Sequence, residues 1–267
     1  MSAVHRFSHD AMNTTFEVRA CHEDEGYAGQ AAHAAFALLD RIEQELSRFV
    51  PNSDVSRIND LEPGGSTRVS ASTLECLSIA RQLYELTGGA FDVSIGTGLE
   101  ALELQPDEHG VLAHLGGVRL DLGGIGKGFA VDRMAALLEE WGIERALVHG
   151  GRSSVVALEP PPGEDGWTLT LRAGGPEAPV LQRLRARQRA LSASGTRKRE
   201  HILDPRTGQP VARGAVWVVL PRGLEGGRSP AAVAEGLSTA FMVLPEEAVA
   251  ELCRSNPALE LFRAPVS

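Results

Sequence analysis

Residues 121–132, DLGGIGKGFAVD, have the residue types that could hold a phosphorylated ligand. Glycines let the backbone approach a ligand closely, and the start of the helix that follows favours an anion. Lys127 adds a compact positive charge. The segment is not a Walker loop, because no Ser or Thr follows this lysine, and its glycines do not match the dinucleotide fingerprint. Taken alone, such a segment is more often a tight turn with a surface lysine.

Residues 201–208, HILDPRTG, combine an imidazole, a carboxylate and turn-forming residues. The Asp-Pro and Thr-Gly pairs fit a turn in which the aspartate bonds to its own backbone. A single histidine is usually structural or simply exposed. We favour a functional role for His201 because further polar segments of the same kind accompany it in the sequence.

Residues 87–96, TGGAFDVSIG, place two glycines in front of an aromatic ring and a carboxylate. Taken alone, this pattern is typical of a helix end followed by a strand, with Phe91 in the core. Its interest for function comes from the carboxylate of Asp92, which directly follows the ring.

Residues 235–241, EGLSTAF, fall on a predicted helix with Glu235 and Thr239 one turn apart. The two side chains therefore share one face, and a carboxylate with a hydroxyl suits oxygen ligation of Mg²⁺. A solvated carboxylate and a threonine bonded to its own helix would explain the same spacing.

The composition excludes several classes of function. A net charge of -9 over 267 residues provides no basic field for nucleic acid or for an anionic membrane surface. A negative protein that binds a phosphorylated ligand needs local compensation from a metal, a lysine or helix N-termini. The three cysteines show no metal-ligand spacing, so zinc and a disulfide framework are not expected.

No apolar stretch is long enough to be a leader or a transmembrane segment, and no cysteine is placed for lipidation. The sequence as it stands therefore predicts a cytoplasmic protein without a transmembrane segment. A periplasmic location would follow if a leader had been removed.

The periodicity of the chain predicts an α+β or mixed α/β fold. Residues 14–20 alternate as a first strand, and apolar residues at helical spacing predict helices over 27–49 and 70–86. The glycine-rich segment is expected to lie between a strand and a helix, with ALVHGG as the next strand. Further strands and helices are predicted at residues 167–173, 216–220, 232–243 and 246–254.

Taken in order, the segments resemble the ApbE family of FAD:protein FMN transferases. The matching segments are MNT at residues 12–14, SDVSRIND at 53–60, GAFDVS at 89–94, DLGGIGKGFAVD at 121–132, HGG at 149–151, SASG at 192–195 with HILDPRTG at 201–208, and EGLSTA at 235–240. Each match alone is weak, but together they cover nearly the whole chain.

The resemblance implies one α+β domain over residues 1–267, with FAD in a cleft between two lobes. The residues that match flavin-nucleotide contacts are Met12, Phe49, Ala90, Phe91, Asp92, Asp121, Lys127 and Ile202. The residues that match Mg²⁺ ligands are Gly124, through its carbonyl, and Glu235, Ser238 and Thr239. His201 matches the family's catalytic histidine.

The implied activity is Mg²⁺-dependent transfer of FMN from FAD to a Ser/Thr hydroxyl of an acceptor flavoprotein, with release of AMP. Two alternatives remain at this point: a pyrophosphatase that releases FMN and AMP by using water, and a non-catalytic FAD-binding protein. Three departures from the family pattern bear on that choice. Glu235 replaces an aspartate, Asn13 replaces a glycine, and Arg152 follows Gly150-Gly151 where an aspartate is usual.

Overall fold

The computed structural model describes residues 3–174, 177–195, 202–211, 214–223 and 229–264, and it has the expected α+β fold. The strands are β1 Ala3–Ala11, β2 Thr14–His22, β3 Ser66–Arg68, β4 Leu102–Gln105, β5 Gly110–Ala113, β6 Ala146–Gly150, β7 Ser154–Ala157, β8 Trp167–Arg172, β9 Val180–Ala186, β10 Arg189–Gly195, β11 Ala215–Pro221 and β12 Glu260–Ala264. The helices are α1 Glu25–Leu46, α2 Asp54–Asn59, α3 Ala71–Leu86, α4 Gly126–Glu140, α5 Pro230–Val243 and α6 Glu246–Ser255.

Seven strands form one antiparallel sheet in the order β1-β2-β6-β7-β10-β11-β12. A second, small sheet has the order β3-β5-β4. One face of the large sheet packs against α1, α4 and α5. The β8–β9 ribbon covers part of the other face, where Trp167 and Leu169 share a small core with Leu147 and Trp217. The central strands are therefore buried on both faces.

Strand β2 shows the alternation that predicted it. Phe16, Val18 and Ala20 are fully buried under the helices, whereas Glu17 and Arg19 pair with each other on the opposite face. Successive side chains of a strand point to opposite faces, so this pattern fixes which face of β2 meets the core.

Helices α1 and α3 confirm the helices predicted over 27–49 and 70–86. Asp24 caps α1 by accepting from the Tyr27 N–H, and Ser70 caps α3 by accepting from the Thr73 N–H. Buried α1 residues recur every three or four positions, as an amphipathic helix requires; they are Ala28, Ala31, Ala32, Ala35, Phe36, Leu39, Ile42 and Leu46. No helix within the described ranges is long and apolar enough to cross a membrane.

The strand predicted before the glycine-rich segment is wrong. Residues 118–121 form no ladder with any strand of the described chain. The Asn59 side chain takes the place of a neighbouring strand, because its Oδ1 accepts from the Leu120 N–H at 2.6 Å and its Nδ2 donates to the Leu120 carbonyl at 3.1 Å. A long-range side chain thus satisfies the backbone that a ladder would otherwise pair.

His149 on β6 is expected to make the fold sensitive to acid. Burial, helped by nearby Arg19, lowers the pKa of His149 to about 4, and its Nε2 is buried without a hydrogen-bond partner. In the unfolded chain His149 is protonated below about pH 6.5, whereas in the folded chain it stays neutral down to about pH 4. The contribution of neutral His149 to the free energy of unfolding is therefore fully present above about pH 6.5 and is lost as the pH falls toward 4.

From pH 7.5 to pH 5 the wild type should lose about 2 kcal/mol more unfolding free energy than His149→Leu. Urea unfolding at the two pH values measures this difference. The exposed His33 of α1 provides the control, and His33→Gln should behave as the wild type. Equal pH dependence of wild type and His149→Leu would contradict the prediction.

Candidate active site

Three of the polar segments meet in the structure. The Asp121 N–H donates to the Val93 carbonyl at 2.7 Å, which joins the glycine-rich segment to residues 87–96. Gly96 has a φ of +78°, and a Cβ there would lie only 2.7 Å from the Pro205 carbonyl oxygen. The turn of residues 202–208 therefore packs directly on the same loop, and only glycine allows this approach.

Asp92 organises that loop. Its carboxylate accepts from the Ser94 N–H and hydroxyl and from the Gly96 N–H, each at 2.7 Å. Ile95, between them, has a φ of 51°, which is strained for a β-branched side chain. The side chain of Ile95 is about half exposed. Contact of Asp92 with FAD stays a prediction.

Phe91 is a core residue, as the pattern taken alone indicated. Its ring is 3% exposed and packs against Gly124 of the glycine-rich segment and Gly236 of α5. Ala90 is buried as well. The Phe91 N–H donates to the Thr87 hydroxyl at 3.0 Å. The ring thus holds together the segments predicted to bind nucleotide and metal.

The glycine-rich segment begins with a 3₁₀ turn, Leu122–Gly124, capped by Asp121, whose carboxylate accepts from the Gly123 N–H at 2.9 Å. Helix α4 follows at Gly126. The Lys127 ammonium lies 3.4 Å from the Gly123 carbonyl oxygen and forms an ion pair with Glu235. The lysine is therefore directed inward at the start of the helix, where the sequence alone favoured a surface position.

Glu235 of α5 is buried, with 4% of its surface exposed. One carboxylate oxygen contacts Lys127 and the other accepts from the Gly128 N–H. The carboxylate thus caps the N-terminus of α4, a position that favours negative charge. The longer side chain of glutamate spans the distance from α5 to α4.

The capping is reciprocal between the two helices. Asp132 of α4 is buried, and its carboxylate accepts from the Ala231 and Ala232 N–H groups at 2.9 Å, at the N-terminus of α5. Burial raises the pKa of Asp132 to about 8, although the two backbone donors oppose that rise. The helices cross closely because Gly128 carries no side chain: a Cβ there would lie 2.3 Å from the Ala231 carbonyl oxygen.

Three hydroxyls form a cluster behind Glu235. Ser194 of β10 lies 2.9 Å from the Ser238 hydroxyl and 3.1 Å from the Thr239 hydroxyl. Ser238 and Thr239 both donate to the Glu235 carbonyl, at 2.9 and 3.1 Å. Ser194 belongs to the SASG segment but was not among the predicted site residues, because its contact with α5 spans more than forty residues.

The donor types at this place fit a hard cation. A carboxylate, two hydroxyls and the backbone carbonyls of the 3₁₀ turn are oxygen ligands of the kind Mg²⁺ prefers. The Lys127 ammonium contacts Glu235 and lies near the Gly123 carbonyl, so these two groups already accommodate a positive charge. No cluster of three or more His, Cys, Asp or Glu side chains suited to a metal occurs in the described part. A cation here would rely on hydroxyl and carbonyl oxygens beside Glu235.

Met12 lies at the tip of the β1–β2 hairpin, in a two-residue turn with φ values of 48° for Met12 and 57° for Asn13. Both values are typical of a type I′ turn, and Asn is the residue other than Gly that best tolerates them. The departure at Asn13 therefore preserves the turn. The Met12 N–H donates to Glu43 at 2.9 Å beside an open groove of about 480 Å³.

The remaining predicted residues have the following positions. Ile202 is half buried against the main core, and Asp204 pairs with Arg206 at 2.9 Å within the turn. His201 lies outside the described residues. Arg152 donates to the Gly174 carbonyl at 3.2 Å, beyond the end of β8. Phe49 lies after α1, with Arg48 between its ring and Asp121.

The fold of the chain matches the solved structures of ApbE flavin transferases. It superposes on the flavinyl transferase ApbE of Pseudomonas stutzeri, solved in its apo form, with a TM-score of 0.83, 25% identity and coverage of 100% of this chain and 92% of that one. The flavin transferase ApbE of Vibrio cholerae has the same fold, with a TM-score of 0.84, 21% identity and coverage of 100% and 95%.

The family model described as "ApbE family" matches residues 12–110 and 97–262, so the chain belongs to the ApbE family. Among curated relatives, the FAD:protein FMN transferase of Vibrio cholerae is 27% identical over 260 residues, covering 80% of this chain and 74% of the relative. That of Klebsiella pneumoniae is 24% identical over 288 residues, covering 92% and 80%.

Proposed function

We propose that this protein transfers FMN from FAD to a Ser/Thr hydroxyl of an acceptor flavoprotein, with Mg²⁺ as cofactor and AMP as the second product. The observation that carries the proposal is the meeting of the family segments at one place. The loop of residues 87–96 bonds to Asp121, the turn of residues 202–208 packs on that loop, and Lys127 pairs with Glu235.

The chemistry is a substitution at the FMN phosphorus of FAD. The acceptor oxygen forms the new P–O bond, the P–O bond to AMP breaks, and the hydroxyl proton leaves with a general base. His201 is the residue proposed as that base. Bound Mg²⁺ would neutralise charge on the pyrophosphate. Glu235, Ser238, Thr239 and the Gly124 carbonyl are the residues proposed to hold it.

The chain's own groups have complementary roles. Lys127 provides a positive charge at the start of α4, where the positive end of the helix dipole also favours a phosphate. Its pairing with Glu235 holds that charge in place before ligand arrives. Ser194 fixes the hydroxyl orientations of Ser238 and Thr239, so that their oxygens are directed by α5 and β10 together.

The direct test is to incubate the protein with FAD, Mg²⁺ and an acceptor peptide with a Ser/Thr site, and to measure the peptide by mass. A mass increase equal to FMN, dependent on Mg²⁺ and accompanied by AMP, is expected. Release of FMN and AMP without peptide modification would identify a pyrophosphatase instead. FAD binding without either product would identify a non-catalytic member of the family.

His201→Ala is expected to reduce transfer by about 10²- to 10⁴-fold, as for loss of a general base. FAD affinity should stay within about twofold, because the imidazole acts on the reacting group and contributes little to ground-state binding. Transfer rate and FAD titration measure the two effects, and His114→Ala, an exposed histidine paired with Glu103, is the control. Parallel loss of binding and transfer would make His201 a binding residue.

A further inference from the structure

Phe49 is an exposed aromatic ring in an unusual position. The residue is 78% exposed and lies two positions after Ser47, the C-terminal cap of α1. The Phe49 N–H donates to the Ser47 hydroxyl at 3.3 Å, which ties the backbone of this residue to the helix end. Leaving a phenyl ring in water is unfavourable, and its face offers a surface on which another ring can stack.

Arg48 connects this ring to the glycine-rich segment. Its guanidinium carbon lies 4.2 Å from the centre of the Phe49 ring, within the range of a cation–π contact. Its Nε lies 3.0 Å from Asp121 Oδ2, in an ion pair with both side chains partly exposed. One side chain therefore contacts two residues, Phe49 and Asp121, that the family resemblance assigned to the nucleotide.

Each of the two carboxylates near the 3₁₀ turn is paired with a basic side chain. Asp121 lies before the turn and pairs with Arg48, and Glu235 lies beside the start of α4 and pairs with Lys127. An unpaired carboxylate would repel the pyrophosphate of a dinucleotide. Pairing with Arg48 removes that repulsion at Asp121 and leaves the guanidinium, about half exposed, beside the ring.

We propose that Arg48 is a positioning residue for the dinucleotide. It supports the Phe49 ring from one side, so that the ring stacks on an aromatic ring of FAD, and it neutralises Asp121 where the pyrophosphate approaches. Arginine suits both roles, because its planar guanidinium stacks on an aromatic face while its N–H groups bond a carboxylate. The inference rests on the proposed function, since it takes FAD as the ligand.

The test is a double-mutant cycle on FAD affinity, measured by calorimetry on the full chain. Arg48→Ala and Phe49→Ala should each weaken FAD binding by about 5- to 10-fold. The double variant should be at most about twofold weaker than either single variant, because the two side chains act as one unit. Arg41→Ala, an exposed arginine of α1, should bind FAD as the wild type does.

A second readout separates stacking from mere loop structure. Quenching of flavin fluorescence reports stacking on the isoalloxazine ring, and titration with ADP reports stacking on the adenine ring. Arg48→Ala and Phe49→Ala should both change the same one of these two signals. Arg48→Lys, which keeps the charge and loses the plane, should restore only part of the affinity. Unfolding temperatures of all variants should stay near the wild-type value.

Each outcome decides one question. Absence of FAD binding by the wild type would overturn the proposed function. Wild-type binding with unchanged affinity in Arg48→Ala, or with effects of the two variants that simply add, would overturn the inference and leave the function standing. An effect of Arg48→Ala without one of Phe49→Ala would likewise overturn it, because the ring would then have no part in binding.

Discussion

Glu235→Gln is expected to reduce Mg²⁺-dependent FMN transfer by at least about 100-fold, since metal stabilisation of the pyrophosphate is worth several kcal/mol and each 1.36 kcal/mol is tenfold in rate. The amide preserves the shape of the side chain and can still accept from the Gly128 N–H, but it removes the negative charge that contacts Lys127. Transfer rates over a Mg²⁺ titration, with Mn²⁺ affinity by calorimetry, measure the loss.

Glu75→Gln is the matched control for this prediction. Glu75 of α3 forms an ion pair of 2.6 Å with Arg133 of α4, apart from the family segments, so its charge can be removed without affecting transfer. Glu235→Asp tests the length of the side chain. The shorter carboxylate should lose contact with α4 and lower the rate, whereas a higher rate would show that glutamate misplaces the ligand. If a metal chelator left the transfer rate of the wild type and of these variants unchanged, the metal assignment would be refuted.

Gly128→Ala is expected to lower the unfolding free energy by about 3 kcal/mol or more. The added Cβ would lie 2.3 Å from the Ala231 carbonyl oxygen and 2.8 Å from the Ala232 Cα, and both are backbone atoms of α5 that cannot turn aside. The helices must separate, which also lengthens the capping bonds of Glu235 and Asp132. For a chain of this size the melting temperature should fall by roughly 10 °C.

Gly126→Ala is the matched control, because this glycine lies in the same first turn of α4 with nothing within 4 Å of an added Cβ. Its stability should be unchanged or slightly higher, since alanine favours the helix. Thermal unfolding of the two variants side by side gives the comparison. Similar melting temperatures for both would show that the crossing of α4 and α5 is not tight.

Periodicity and capping residues predicted the long helices, but among the strands of the described chain they predicted only β2, β6, β8 and β11. Ser70 and the apolar spacing located α3, and the alternation of Phe16 and Val18 located β2. Strand β1 was not predicted, because its inward positions include histidines. His9 stacks on Phe36 of α1 at 5.2 Å and bonds Asp40 at 2.7 Å, so a polar residue has a packing role there.

The site was predictable as a set of segments but not as a set of contacts. The pairs Lys127–Glu235 and Arg48–Asp121 join residues more than seventy positions apart, and one sequence contains no signal for such a pairing. The same holds for Asn59, whose side chain replaces a predicted strand at Leu120. Local patterns report the face of an element, whereas the choice of partner depends on packing of the whole chain.

The exchange of carboxylates between α4 and α5 has a consequence for how this part of the protein opens. Each helix N-terminus is closed by a side chain of the other, Glu235 on Gly128 and Asp132 on Ala231. Fraying of one helix withdraws the cap of its neighbour, so the amide protons of both first turns should exchange with solvent as one cooperative unit. A ligand that binds at the N-terminus of either helix would therefore slow amide exchange in the first turns of both helices.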